Sequence, residues 1–90
     1  MGSAPRLRLL HRPECGLCAE MHAELRRLAR ELPLPPLELV DVDQDPLLRR
    51  RHGLDVPVLL LDESVVCRHH LDRAELTRLL RAAPDGGCAA

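Results

Sequence analysis

The stretch RLRLLHRPECGLCAEMHAELRRL, residues 6–28, decides how this chain folds: a short apolar run leads into two cysteines three positions apart and then into helical spacing. In RLRLL, Arg6 to Leu10, charged and apolar residues alternate before two leucines close the run, as expected of a strand that places Arg6 and Arg8 near its exposed start. From Cys15 or Gly16 to Leu32 the apolar set Cys18, Met21, Leu25, Leu28, Ala29 and Leu32 recurs at helical intervals. Glu20, Glu24, Arg26, Arg27, Arg30 and Glu31 fall off that face, so the helix is amphipathic. PLPP, residues 33–36, stops it, because proline lacks the amide hydrogen and the residue before a proline avoids the helical region. The cysteines therefore mark a strand-to-helix junction.

Working outward, LELVDV, Leu37 to Val42, reads as a second strand. Asp45 followed by Pro46 gives an N-cap and a first-turn proline for a short helix that runs to about His52 and closes at Gly53. PVLLLD, Pro57 to Asp62, is a continuous apolar run of strand length, expected to be covered on both faces. Asp62, Glu63 and Ser64 form a polar turn, and VVCR, Val65 to Arg68, is then an antiparallel hairpin partner with Val65 and Cys67 on one face. DRAELTRLLRA begins with Asp72 as N-cap and Glu75 three residues on, a capping box, ahead of Ala74, Leu76, Leu79 and Leu80. This third helix should end near Ala83. The order is β-α-β-α-β-β-α, an α/β four-stranded mixed sheet flanked by helices, with its first two strands parallel through a right-handed crossover. One domain over residues 1–83 is expected, with PDGGCAA, residues 84–90, as a flexible tail.

Composition narrows the function. A 90-residue chain buries only about 60 to 65% of its unfolded surface, so a second domain has no room. The chain has no Phe, Tyr or Trp, and its 13 basic residues, all arginine, face 14 acidic ones for a net charge of −1. Neither base stacking nor a basic footprint is present, which argues against nucleic acid as a partner. No apolar run approaches the roughly 18 residues of a membrane span, and MGSAPRLRLLHR, residues 1–12, lacks the apolar core of a signal peptide. A cytoplasmic monomer is the expectation. In that setting four cysteines point to metal or redox chemistry ahead of a disulfide framework.

Zinc modules, redox enzymes and chance all produce a lone C-x-x-C, so its placement carries the weight. Cys15 at a helix start lies beside unpaired backbone N–H groups that favour a thiolate. The helix dipole alone contributes about 0.3 to 1 kcal/mol, and a pKa unit is about 1.36 kcal/mol, so direct N–H hydrogen bonds must supply most of the effect. Arg12 adds a cation and Glu14 opposes it. Cys18, one turn on, shares the inward face with Met21 and Leu25 and should keep its proton longer. The asymmetry assigns attack on a substrate disulfide to Cys15 and resolution of the mixed disulfide to Cys18. A metal pair and two inert core thiols are the competing readings.

LLHRPECGLC, then LELVDVDQDPLLRRRHGLDVPVLLLDE and LDRAEL, resembles the glutaredoxin-like branch of the thioredoxin superfamily, in particular its small bacterial members of poorly assigned function. The likeness runs from about Leu7 to Leu80. It implies a thioredoxin-like fold and a dithiol-disulfide oxidoreductase, with Pro57 in DVPV as the cis-proline facing the cysteine pair and Val56 offering backbone hydrogen bonds to substrate. It further implies that Arg12 binds a carboxylate of glutathione and that Asp72 holds the other end. Protein disulfides or glutathione mixed disulfides are thus the implied partners, with glutathione a co-substrate and no bound cofactor. Where glutaredoxins carry a Gly-Gly turn before the last helix and an aromatic near the pair, this chain has CRHHLD, Leu10 and Leu17. Without glutathione, Arg12 would be a solvated charge and Asp72 a helix cap.

The remaining candidates compete with this reading. A zinc site can be written from Cys15, Cys18, Cys67 and either His69 or His70, which makes a non-catalytic metal-binding or protein-interaction module the main alternative. Cys67 is otherwise a small buried hydrophobe, and His69 and His70 are exposed turn residues. His11, at the end of the first strand, is either a proton-exchanging neighbour of the thiols or a surface histidine. Cys88 is expected to be an exposed free thiol able to form mixed or intermolecular disulfides. Arg49, Arg50 and Arg51 form the solvated face of the short helix or steer acidic partners.

Overall fold

The computed structural model describes residues 5–82. Its elements are β1 (Leu7–His11), α1 (Gly16–Glu31), β2 (Leu37–Asp41), α2 (Pro46–His52), β3 (Val58–Leu61), β4 (Ser64–Arg68) and α3 (Arg73–Ala82), with a 3-10 turn at Val42–Gln44. The tail 84–90 with Cys88, and the expected helix end at Ala83, lie outside the described residues. One sheet is ordered β2-β1-β3-β4. β2 is parallel to β1, as a crossover through α1 requires, whereas β3 is antiparallel to both β1 and β4.

The alternation of side chains along a strand divides the core in two. Leu7 and Leu9 of β1, Leu59 and Leu61 of β3, and Val66 of β4 pack with Met21, Leu25 and Leu28 of α1 and Leu76 of α3. On the opposite face Leu10, Val58 and Leu60 pack with Val42, and Leu48 of α2 lies against them. β3 is buried throughout, as its unbroken apolar sequence requires. Leu59 and Leu76 are fully buried, and truncating such a leucine to alanine costs about 2 to 5 kcal/mol.

Four local expectations change. Arg6 is exposed and pairs with Glu38 at 2.8 Å, but Arg8 is not at an open strand end: its side chain is only 16% exposed. Arg8 lies in the middle of the sheet, donating from Nη2 to the Asp62 carbonyl at 3.3 Å. Val65 and Cys67 do not share a face. Leu59 pairs with Cys67 but Leu60 with Val65, a bulge that inserts Val66 and reverses the facing beyond it; Val65 joins the α2 side and Cys67 the α1 and α3 side. The capping box of α3 is a single cap. Asp72 accepts the Glu75 N–H at 2.9 Å, while the Glu75 carboxylate turns to Arg78 at 2.7 Å. Finally, Gly53 closes α2 in the right-handed region at φ −57°. Glycine serves there for space, since a Cβ would lie 2.5 Å from the Arg49 carbonyl oxygen.

Candidate active site

Residues 12–15 turn the chain from β1 into α1. Glu14 takes the left-handed conformation, φ 59°, and delivers Cys15 in extended geometry as the N-cap of α1. The Cys15 carbonyl then accepts the Ala19 N–H at 3.1 Å, and its Sγ accepts the Cys18 N–H at 3.2 Å. Cys15 and Cys18 are joined as a disulfide, their Cα atoms 5.2 Å apart. Their environments differ as helical spacing requires: Cys15 is half-buried, Cys18 only 4% exposed. Around Gly16 the space is open, with nothing within 4 Å of where a Cβ would stand, so another chain can approach this backbone.

Beside the disulfide lies a cleft of about 450 Å³ between α1 and the β1–β2 edge of the sheet. Leu9 and Leu39 form its apolar sheet side; His11, Arg12 and Glu14 line the loop side, and Cys18, Ala19 and His22 the helix side. Arg12 reaches the cleft but is already engaged. Its Nε donates to Asp43 in the 3-10 turn at 3.1 Å, and its Nη2 lies against Gly53 at the end of α2, 3.3 Å from the position of a Cβ. Both members of this pair are partly exposed, so the pair contributes about 0 to 1 kcal/mol. It ties the guanidinium to the 3-10 turn and the end of α2.

Val56, Pro57 and Asp72 are not among the residues lining this cleft. The Val56–Pro57 peptide bond is cis, the Pro57 side chain is fully buried, and the Pro57 carbonyl accepts the His69 N–H at 2.8 Å. Val56 forms no backbone hydrogen bond among the described residues outside helices and strands, which leaves its peptide groups available. Asp72 does what its sequence position requires and caps α3. Cys67 is half-buried against the α1 and α3 side of the core; burial pushes its thiol pKa up, partly offset by a hydrogen bond from the Asp72 backbone. His69 and His70 are exposed. Among the described residues no three His, Cys, Asp or Glu side chains gather in a metal-ligating group, so Cys67 does not join the pair.

Sequence reasoning passed over His22 and Leu39. A histidine four residues after Cys18 was a usable signal, since i and i+4 share a helix side. Leu39 gave none. It reads as one apolar residue of a strand, and its 47% exposure follows from β2 being the sheet edge.

A family model described as glutaredoxin-like domain (DUF836) matches residues 6–81. The chain belongs to this glutaredoxin-like family. Among solved structures, the solution structure of protein Ne2328 from Nitrosomonas europaea is similar at 29% identity and TM-score 0.74, covering 87% of this chain and 93% of that one. The oxidised mitochondrial thioredoxin 3 of Saccharomyces cerevisiae matches at 18% identity and TM-score 0.62, over 88% of this chain and 78% of its own. Fasciola hepatica thioredoxin matches at 20% identity and TM-score 0.57, over 90% and 82%. The thioredoxins establish the fold alone. A search of curated proteins finds no match. In this glutaredoxin-like chain the thioredoxin-like fold and the disulfide-bonded cysteine pair support a redox role, and no helix among the described residues is long and apolar enough to cross a membrane.

Proposed function

We propose that this glutaredoxin-like protein is a thiol-disulfide oxidoreductase in which Cys15 is the nucleophile and Cys18 the resolving thiol. The observation that carries the reading is the inequality of the two sulfurs: Cys15 caps α1 and receives the Cys18 N–H, while Cys18 is buried. In the reduced protein that N–H and the positive end of α1 favour a thiolate on Cys15. The thiolate attacks one sulfur of a substrate disulfide, forming the Cys15 mixed disulfide and expelling the first substrate thiolate. Cys18 then attacks Cys15 Sγ, forming the internal disulfide and releasing the second substrate thiol. Two electrons pass from the dithiol to the substrate, and the reverse sequence oxidises a dithiol substrate.

Protein disulfides and glutathione mixed disulfides are the proposed substrates. Val56 lends backbone groups to an extended substrate segment and Pro57 helps to shape its groove, which is separate from the cleft that His22 and Leu39 line. For glutathione, the Nη hydrogens of Arg12 meet a carboxylate at the cost of competing with Asp43, and Asp72 bonds the other end while still capping α3.

The test is trapping. Cys18→Ser treated with a disulfide peptide or glutathione disulfide should accumulate a mixed disulfide on Cys15, seen by intact mass and peptide mapping, while the wild type proceeds to the internal disulfide. Turnover surviving in Cys15→Ser contradicts the assignment, as does a mixed disulfide that forms on Cys67 instead. If Cys18→Ser keeps full activity on glutathione mixed disulfides, one cysteine suffices and the resolving role of Cys18 falls.

A further inference from the structure

A buried thiol holds its proton because burial disfavours the anion, yet only the thiolate attacks a disulfide. Cys18, 4% exposed, therefore needs a group to take its proton when it attacks, and the apolar lining of the cleft, Leu9, Ala19 and Leu39, offers none. We propose that His22 is that proton acceptor, a role that rests on the disulfide-exchange reading and adds the base its second step requires. His22 is half-buried, stands one helical turn after Cys18 on the same side of α1, and lines the same cleft.

The other charged or titratable groups facing the cleft are placed less well. Arg12 has no basic lone pair and is held by Asp43. Glu14 is exposed and adjoins Cys15 rather than Cys18. His11, the last residue of β1, shares the α1-facing side of the sheet with Leu7 and Leu9 and lines the cleft, but it sits on the strand rather than one helical turn from Cys18, and β2 contributes only Leu39 to the lining. On α1 itself, Arg26 follows His22 by one turn and is exposed.

The chemistry balances. The Cys18 S–H gives its proton to an imidazole nitrogen of His22, and the sulfur electron pair forms the bond to Cys15 Sγ. The bond between Cys15 and the substrate sulfur breaks, that sulfur leaves with the bonding pair, and the imidazolium returns the proton to it. When the internal disulfide is opened by a dithiol, the same imidazolium protonates the departing Cys18.

The experiment follows the two steps separately in a chain whose Cys67 and Cys88 are replaced by alanine. Reduced protein is mixed with excess of an aromatic disulfide whose thiolate is coloured, so the first equivalent released reports attack by Cys15 and the second reports attack by Cys18. His22→Gln should slow the second release about tenfold or more at pH 7 and flatten its rise with pH across the neutral range, the mark of a base acting in that step. The first release should stay within about twofold of its original rate. His22→Ala, with the best helix former at this position, carries the same expectation, and His11→Gln should retain the rise. An unchanged pH profile in both His22 variants overturns the role, as does loss of the rise in His11→Gln alone. Absence of any second release before substitution overturns the dithiol reading, and this inference with it.

Discussion

Helices α1 and α3 begin with the same geometry and different chemistry. At α3 the Asp72 carboxylate accepts the N–H three residues on at 2.9 Å; at α1 the Cys15 sulfur accepts the equivalent N–H at 3.2 Å. Aspartate is among the preferred caps and cysteine is not. The carboxylate cap stabilises the start of α3 and has no covalent partner to exchange. The sulfur at α1 carries most charge only as a thiolate, so the same backbone donor favours one redox and protonation state over the others. A helix start of ordinary design becomes reactive when the cap is an atom that can exchange partners.

Substitutions at the two caps should separate these roles. The largest effect belongs to Cys15→Ser. Serine is a preferred cap, so the folded chain should stay within about 1 kcal/mol of the reduced wild type while disulfide exchange falls to background, read by urea midpoint and turnover. Next comes Asp72→Ala, which should cost about 1 kcal/mol of stability and leave the Cys15 alkylation rate unchanged. On the proposed glutathione contact, the glutathione KM should also rise in that variant beyond what the lost stability explains; an unchanged KM confines Asp72 to capping.

Smaller effects come from the charges beside Cys15. Glu14→Gln removes like-charge repulsion beside Cys15 and should speed its alkylation slightly, whereas Arg12→Gln should slow it by no more than that because Asp43 shares the cation. The smallest effect is at Cys67, whose thiol pKa burial pushes up from its ordinary value, partly offset by the Asp72 backbone. Above that ordinary value the native chain keeps a proton that the unfolded chain has released, so stability should fall as pH rises. Denaturant midpoints between pH 8 and 10 should show this decline, and Cys67→Ala should flatten it.

Much of this was legible in the sequence because it rests on local rules. The period of Cys18, Met21, Leu25 and Leu28 gave α1 and its buried face; Asp45 with Pro46 gave the start of α2; the unbroken run from Val58 to Leu61 gave a strand covered on both sides. What escaped depended on pairing between distant segments. The bulge that separates Val65 from Cys67 arises from how β4 meets β3, and no feature of VVCR announces it. The burial of Arg8 follows from β1 being central, flanked by β2 and β3, and the turning of Arg12 toward Asp43 follows from where the 3-10 turn lands. At the candidate site, the two cysteines could be ranked by helix position and His22 placed on the side of Cys18, while Leu39 as the facing wall required the neighbouring strand to be in place.

The account stands on Cys15 being a thiolate made stable by the start of α1. The direct measurement is the rate of iodoacetamide alkylation of Cys15 against pH, in reduced Cys18→Ser protein with Cys67 and Cys88 also replaced. An inflection below the free-thiol value of about 8.5 is the expected result. An inflection at or above that value would contradict it, because the α1 terminus would then be an ordinary cap that happens to carry sulfur.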